Sequence, residues 1–139
     1  MFDPSRDQVR ETFFAAWRKY RAGEPLVGIE TIALDVMLAH PEYHALLADP
    51  ERYREKDYVD EANPFLHMSL HVALEEQLSI DQPPGIAAGF RRLLTKFGDR
   101  HGALHAALEC LAHTVWRAQR DNAPPDADAY LDCLRRAAG

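Results

Sequence analysis

The sequence predicts an all-α fold, a single-domain helical bundle of about five to six helices over residues 1–139. Three observations carry this expectation. Apolar residues recur at helical spacing from end to end. The alternating Val/Ile/Thr/aromatic runs of strands are missing. Gly and Pro fall where one helix has to stop and the next begin. A chain of 139 residues, 47% hydrophobic and 27% charged, has the size and composition of one globular domain and buries a core without staples.

The first helix is expected from about Pro4 to Arg21, capped by Asp3, with Val9, Phe13, Ala16, Trp17 and Tyr20 as its inner stripe. Gly23 and Pro25 end it. A second helix follows from about Leu26 with Ile29, Ala33, Val36 and Met37 on one face. Pro41 then kinks the chain near His40 or starts a new helix, because the residue before proline avoids helical backbone. From Asp49 to Pro64 the text is charged and aperiodic, a surface loop or short exposed helix, and Glu51 to Glu61 reads as a solvated segment. A third helix opens after Asn63-Pro64 and runs to about Leu78. The connector from Ser79 to Gly85 reads as a rigid turn in which Asp81 caps and Pro-Pro-Gly redirects the chain. Helix four covers about Ile86 to Phe97, with Gly98 as terminator. Asp99 caps a fifth helix to about Arg120. A last helix from Asp126 to Arg136 turns Tyr130, Leu131 and Leu134 inward.

The formal charge of −6 argues against nucleic acid or anionic lipid as a partner, since both reward a basic face. No run of about 18 apolar residues exists and the N-terminus lacks a signal-peptide stretch, so no membrane span and a cytoplasmic location are expected. Cys110 and Cys133 form no CxxC pattern. They fit a reducing compartment and read as small core residues. Zincin, phosphate-loop, dinucleotide and nucleophile-elbow motifs are missing, as is the Glu-x-x-His pair of ferritin-like bundles.

The unusual feature is the histidines. Six of seven fall into pairs at i, i+4: His40 with His44, His67 with His71, His101 with His105. Random placement gives roughly 0.3 such pairs. Two pairs continue to a carboxylate, Glu75 and Glu109, and the second continues again to His113. Residues one turn apart stack on one helix face, so two imidazoles meet one ion or two adjacent ions. With Leu66 at 0°, Leu70, Leu74 and Leu78 fall at about 40°, 80° and 120°, His67 and His71 at about 100° and 140°, and Glu75 borders them at about 180°. On the fifth helix, Leu104, Leu108, Leu111 and Val115 form the stripe, and Trp116 and Ala112 cover the histidine side. If the second helix continues through Pro41, His40 and His44 share the face of Val36 and Met37, with Glu30 at its edge.

The expected metal ligands are therefore His40, His44, His67, His71, Glu75, His101, His105 and Glu109, holding one or two divalent transition-metal ions, iron, zinc or manganese. Two redox-active ions would handle oxygen or peroxide; zinc would activate water. No catalytic residue is assigned. The alternative is a non-enzymatic protein-interaction module whose histidines pair with carboxylates, and a third reading is a histidine pH sensor. A small-molecule ligand, a protein partner and a homodimer all stay open.

The histidine-rich, carboxylate-poor pattern is similar in style to hemerythrin-like bundles and, more loosely, to the DinB type; no residue assignment carries over. Four phrases, QVRETFFAAWRKYRAGEPL, HPEYH, NPFLHMSLHVALEEQLSIDQPPGI and CLAHTVWRAQR, with a YLDCLRR ending, together resemble a bacterial family catalogued only as a domain of unknown function, number eighteen-forty-one. The resemblance spans nearly the full length. It implies a small stand-alone cytoplasmic protein and supplies no activity.

Overall fold

Six long helices stand in the order that the periodicity predicts, in a computed structural model that describes residues 6–58 and 63–139. They are α1 (Arg6–Ala22), α2 (Ile29–Leu38), α5 (Pro64–Ile80), α6 (Ile86–Phe97), α7 (Arg100–Asp121) and α8 (Ala127–Ala137); α3 (His44–Leu47) and α4 (Pro50–Tyr53) are single turns between α2 and α5. No strand occurs among the described residues. The all-α expectation holds, with eight helices among the described residues instead of five to six. The two extra helices are four residues each, too short for a 3.6-residue period to show in the sequence. The expected cap Asp3, Pro4 and the stretch 59–62 of the charged segment lie outside the described residues.

Local signals explain most boundaries. Gly28 adopts φ 57°, ψ −128°, a backbone open mainly to glycine, so α2 starts after it instead of at Leu26. Asp49, Asp99 and Asp126 cap α4, α7 and α8 by accepting from the Arg52, Gly102 and Ala129 amides. The Asp81 carboxylate accepts from the Gly85 amide at 3.2 Å and the Ala87 amide at 3.0 Å, tying the connector to the start of α6 as expected.

By their contacts the described residues form two compact units, divided between Val72 and Ala73, inside α5. The first holds α1 to α4 and the opening of α5. Its core is Phe13, Phe14, Trp17, Ala33, Met37, Leu47, Phe65 and Met68, with Phe14 and Phe65 edge to face at 5.5 Å. Tyr20 and Ile29, expected inward, are exposed. Lys19 joins α1 to α2 through Glu30 at 2.7 Å, which uses Glu30 in the fold.

Arg10 on α1 is 1% exposed and serves as a staple. Its guanidinium donates to the carbonyls of Tyr53 (3.3 Å), Arg54 (2.9 Å) and Lys56 (2.7 Å). The same group lies 4.7 Å from the centre of the Phe65 ring. These carbonyls belong to the end of α4 and the chain beyond it, where the helix leaves its acceptors unsatisfied.

In the second unit α6, α7 and α8 pack on one another around Leu93, Ala103, Ala107 and Leu134. The Tyr130 hydroxyl donates to Gln77 Oε1 at 2.8 Å, and burial pushes its pKa up. The expectation for the cysteines is corrected here. Cys110 on α7 and Cys133 on α8 are joined in a disulfide with their Cα atoms 5.8 Å apart. Spacing along the chain could not reveal that the faces carrying them meet. Closing a loop with a sequence separation of 23 stabilises the fold by about 3 kcal/mol in the chain-entropy picture.

Two outcomes follow from these contacts. Arg10→Lys keeps the charge but replaces a planar fork by a single ammonium, so urea unfolding should show a loss of about 1–3 kcal/mol. The amides around Asp81 hold its carboxyl below the ordinary value of 3.8. A folded-state value below the unfolded one contributes stability above the unfolded pKa that is lost as pH falls through the folded one. Carboxyl NMR should therefore show Asp81 titrating below 3.8, and Asp81→Asn should remove that part of the acid sensitivity.

Candidate metal centre

The site is built from one turn of α5. His67 and His71 stack along the helix with their Nε2 atoms 3.3 Å apart and their ring centres at 4.8 Å. Phe65, Met68, His71, Val72 and Leu74 of α5 are buried, whereas Leu66 is exposed and Leu70 and Leu78 are half-buried. The leucine stripe was thus an imperfect guide to the inner face. The helix is apolar on most sides, and its histidines still turn inward.

His40 comes from a different kind of backbone. It follows the end of α2 and adopts φ −126°, ψ 67°, the extended shape that Pro41 demands, before a 3-10 turn of Pro41–Tyr43. Its Nδ1 lies 2.7 Å from the Val36 carbonyl. A carbonyl only accepts, so Nδ1 carries the proton and the lone pair sits on Nε2. The ring centre is 4.6 Å from that of His71 and 5.1 Å from that of His67, both edge to face. Tyr43 lies parallel to it, 5° from coplanar at 5.6 Å. His40 and His71 are each 4% exposed. Burial pushes the Tyr43 phenol pKa up, and the neighbouring Glu42 adds to the shift.

On α7, His105 donates from Nδ1 to the His101 carbonyl at 2.9 Å, which again leaves the lone pair on Nε2. Within the first unit, one ring nitrogen from each of His40, His67 and His71 lies within 4.8 Å of the others. Zinc bound tetrahedrally at 2.0–2.1 Å sets ligand nitrogens about 3.4 Å apart. The His67–His71 pair, at 3.3 Å, is already at that edge length.

The other expected ligands stand elsewhere. His44 opens α3, donates from Nε2 to the Met37 carbonyl at 2.8 Å and packs on Trp17 with ring centres 4.5 Å apart. The Pro41 turn is the reason. A face extrapolated straight along α2 would place His44 beside His40, but the chain does not continue straight. Glu75 is held by Arg100 at 2.7 Å. His101 is exposed with its ring 4.2 Å from that of His105, and Glu109 is exposed. His113 is exposed and stacks on Trp116, which is itself exposed. Tyr43 was not foreseen as a neighbour of the site, although it stands inside the HPEYH phrase.

Residues 5–136 match the family model described as Domain of unknown function (DUF1841). No curated protein and no solved structure matches the chain.

The hydrogen bonds dictate tautomers that nitrogen-15 NMR reads directly. Above the range where imidazoles protonate, His40 and His105 should be Nδ1–H and His44 Nε2–H. An Nε2–H form of His40 would contradict its bond to Val36.

Proposed function

Since the chain belongs to the DUF1841 family, whose description names no activity, its function rests on its own residues, and we propose that it binds one transition-metal ion through His40, His67 and His71 of the first unit. The observation that supports this reading is the convergence of three ring nitrogens within 4.8 Å in the first unit. Two histidines one turn apart can simply hydrogen-bond to each other. A third ring at the same place, with its Nδ1 tied to the Val36 carbonyl, is the arrangement in which metal-binding imidazoles are oriented through their other nitrogen.

The ligand set narrows the ion. Imidazole suits zinc, iron, copper and nickel, whereas manganese, magnesium and calcium favour carboxylate and carbonyl oxygen. Glu75 and Glu109, which would have favoured manganese or a bridged pair of ions, are left out of the proposed ligand set, which is three imidazoles. Three protein ligands leave the fourth tetrahedral position open, where the ion binds water or a small ligand and acts as a Lewis acid. His44 and Glu75 serve the fold through Trp17 and Arg100.

Elemental analysis of protein purified without a histidine tag and reconstituted with zinc or ferrous iron tests the proposal. The expected result is about one ion per chain, lost in His71→Ala and retained in His44→Ala, with a melting temperature that chelator lowers. Less than about 0.2 ion per chain, unchanged by His71→Ala, would sink the metal and favour an interaction module whose histidines are structural.

A further inference from the structure

The second unit holds a chemical group that the metal reading does not use. The Cys110–Cys133 disulfide lines a cleft of about 260 Å³ between α7 and α8, whose charged lining is Arg117 and Arg136 together with Asp121 and Asp126. We propose that this disulfide is a reversible thiol–disulfide exchange site, opened and closed by a small anionic thiol that enters the cleft.

Access, charge and redundancy carry the proposal. Cys110 is buried and Cys133 is half-buried, so the two sulfurs differ in reach and the incoming thiolate attacks at Cys133. Arg120 grips Asp121 through both carboxylate oxygens, at 2.8 and 3.0 Å. Arg117 lines the same cleft and makes no ion pair among the described residues, acting on Asp121 only through space, so part of its charge meets an approaching anion. Arg136 adds a second cation, shared with Asp132 at 3.0 Å. Cationic neighbours stabilise thiolates, which are both the attacking and the leaving species.

The fold does not need the bond to keep α8 in place. Tyr130 and Leu134 are buried, the Tyr130 hydroxyl is bonded to Gln77, and Lys96 donates to the Ala137 carbonyl at 2.7 Å. A disulfide that reports on redox state without dismantling its helix can cycle.

The exchange balances in two steps. A thiolate RS⁻ attacks Cys133 Sγ, an S–S bond to R forms, and the Cys110–Cys133 bond breaks with its electron pair leaving on Cys110 Sγ, which takes up a proton. A second thiolate attacks the RS sulfur of the mixed disulfide, releasing RSSR and the Cys133 thiolate, which is then protonated. The protein disulfide is reduced by two electrons and two thiols are oxidised; RSSR runs the sequence backwards.

Glutathione is the probe, with neutral 2-mercaptoethanol as control, and the readouts are alkylation followed by mass spectrometry and circular dichroism. Wild-type protein should gain two alkylatable thiols in glutathione without denaturant and without losing helicity, and should close again in oxidised glutathione. Oxidised glutathione should form a mixed disulfide with Cys110→Ser, through Cys133, and not with Cys133→Ser, whose remaining sulfur is buried. Arg117→Gln should slow opening by glutathione about two- to fivefold, the size of one exposed charge contact, and leave the rate with 2-mercaptoethanol unchanged. A bond that opens only in denaturant, or whose opening costs helicity, is a static staple and overturns the proposal. So does wild-type protein that stays a dithiol in oxidised glutathione, or an Arg117→Gln rate that falls equally with both thiols.

Discussion

One turn of α5 is the constraint on which the histidine group depends. A rise of about 5.4 Å per turn places residues i and i+4 in register, and His67 and His71 use that register to hold two Nε2 atoms 3.3 Å apart. No other pair of side chains in the group is set by a single helix. His40 reaches its position through the end of α2, with Nδ1 tied to a backbone carbonyl. The α5 pair defines where two ring nitrogens stand, and the carbonyl bond orients a third ring.

The turn at Pro41 decides which histidine of its pair faces α5. Proline forces His40 out of helical backbone and supplies the first residue of the 3-10 turn. His40 is left at the end of α2 with its ring toward α5, and His44 is carried round onto Trp17. Two residues of the same type and one helical turn apart in sequence thus end in different environments. One is buried among imidazoles and the other is packed on an indole.

How much could be read in advance follows from how local each signal is. Helix periods and caps are local: Asp81 and Asp99 cap where the text placed them, and Asp126, read only as the start of the last helix, is its cap. The placing of His67 and His71 on one face was also legible, because helical spacing alone sets it. His44 was harder to place because it lies beyond a break in the helix, where extrapolating one face fails. Glu75 belongs to a pair with Arg100, 25 residues on, and no spacing rule anticipates such a partner. The Arg10 staple and the Cys110–Cys133 bond were invisible for the same reason. Both depend on which faces meet after folding, and a basic residue or a cysteine in an otherwise ordinary helix carries no sign of its distant partner.

The two tryptophans lie in different surroundings, and this has a spectroscopic consequence. Trp17 is buried in the first unit between His44 and Tyr20, whereas Trp116 in the second unit lies on the surface against His113 and Arg120. The native emission band is then a sum of a blue, shielded component and a red, hydrated one. Its shift during unfolding follows the first unit almost alone, because Trp116 is already in water before the chain opens. Far-ultraviolet ellipticity, which counts helix everywhere, weighs α6, α7 and α8 as well. The two signals together separate the melting of the segment that carries His40 and His67 from that of the segment that carries the disulfide.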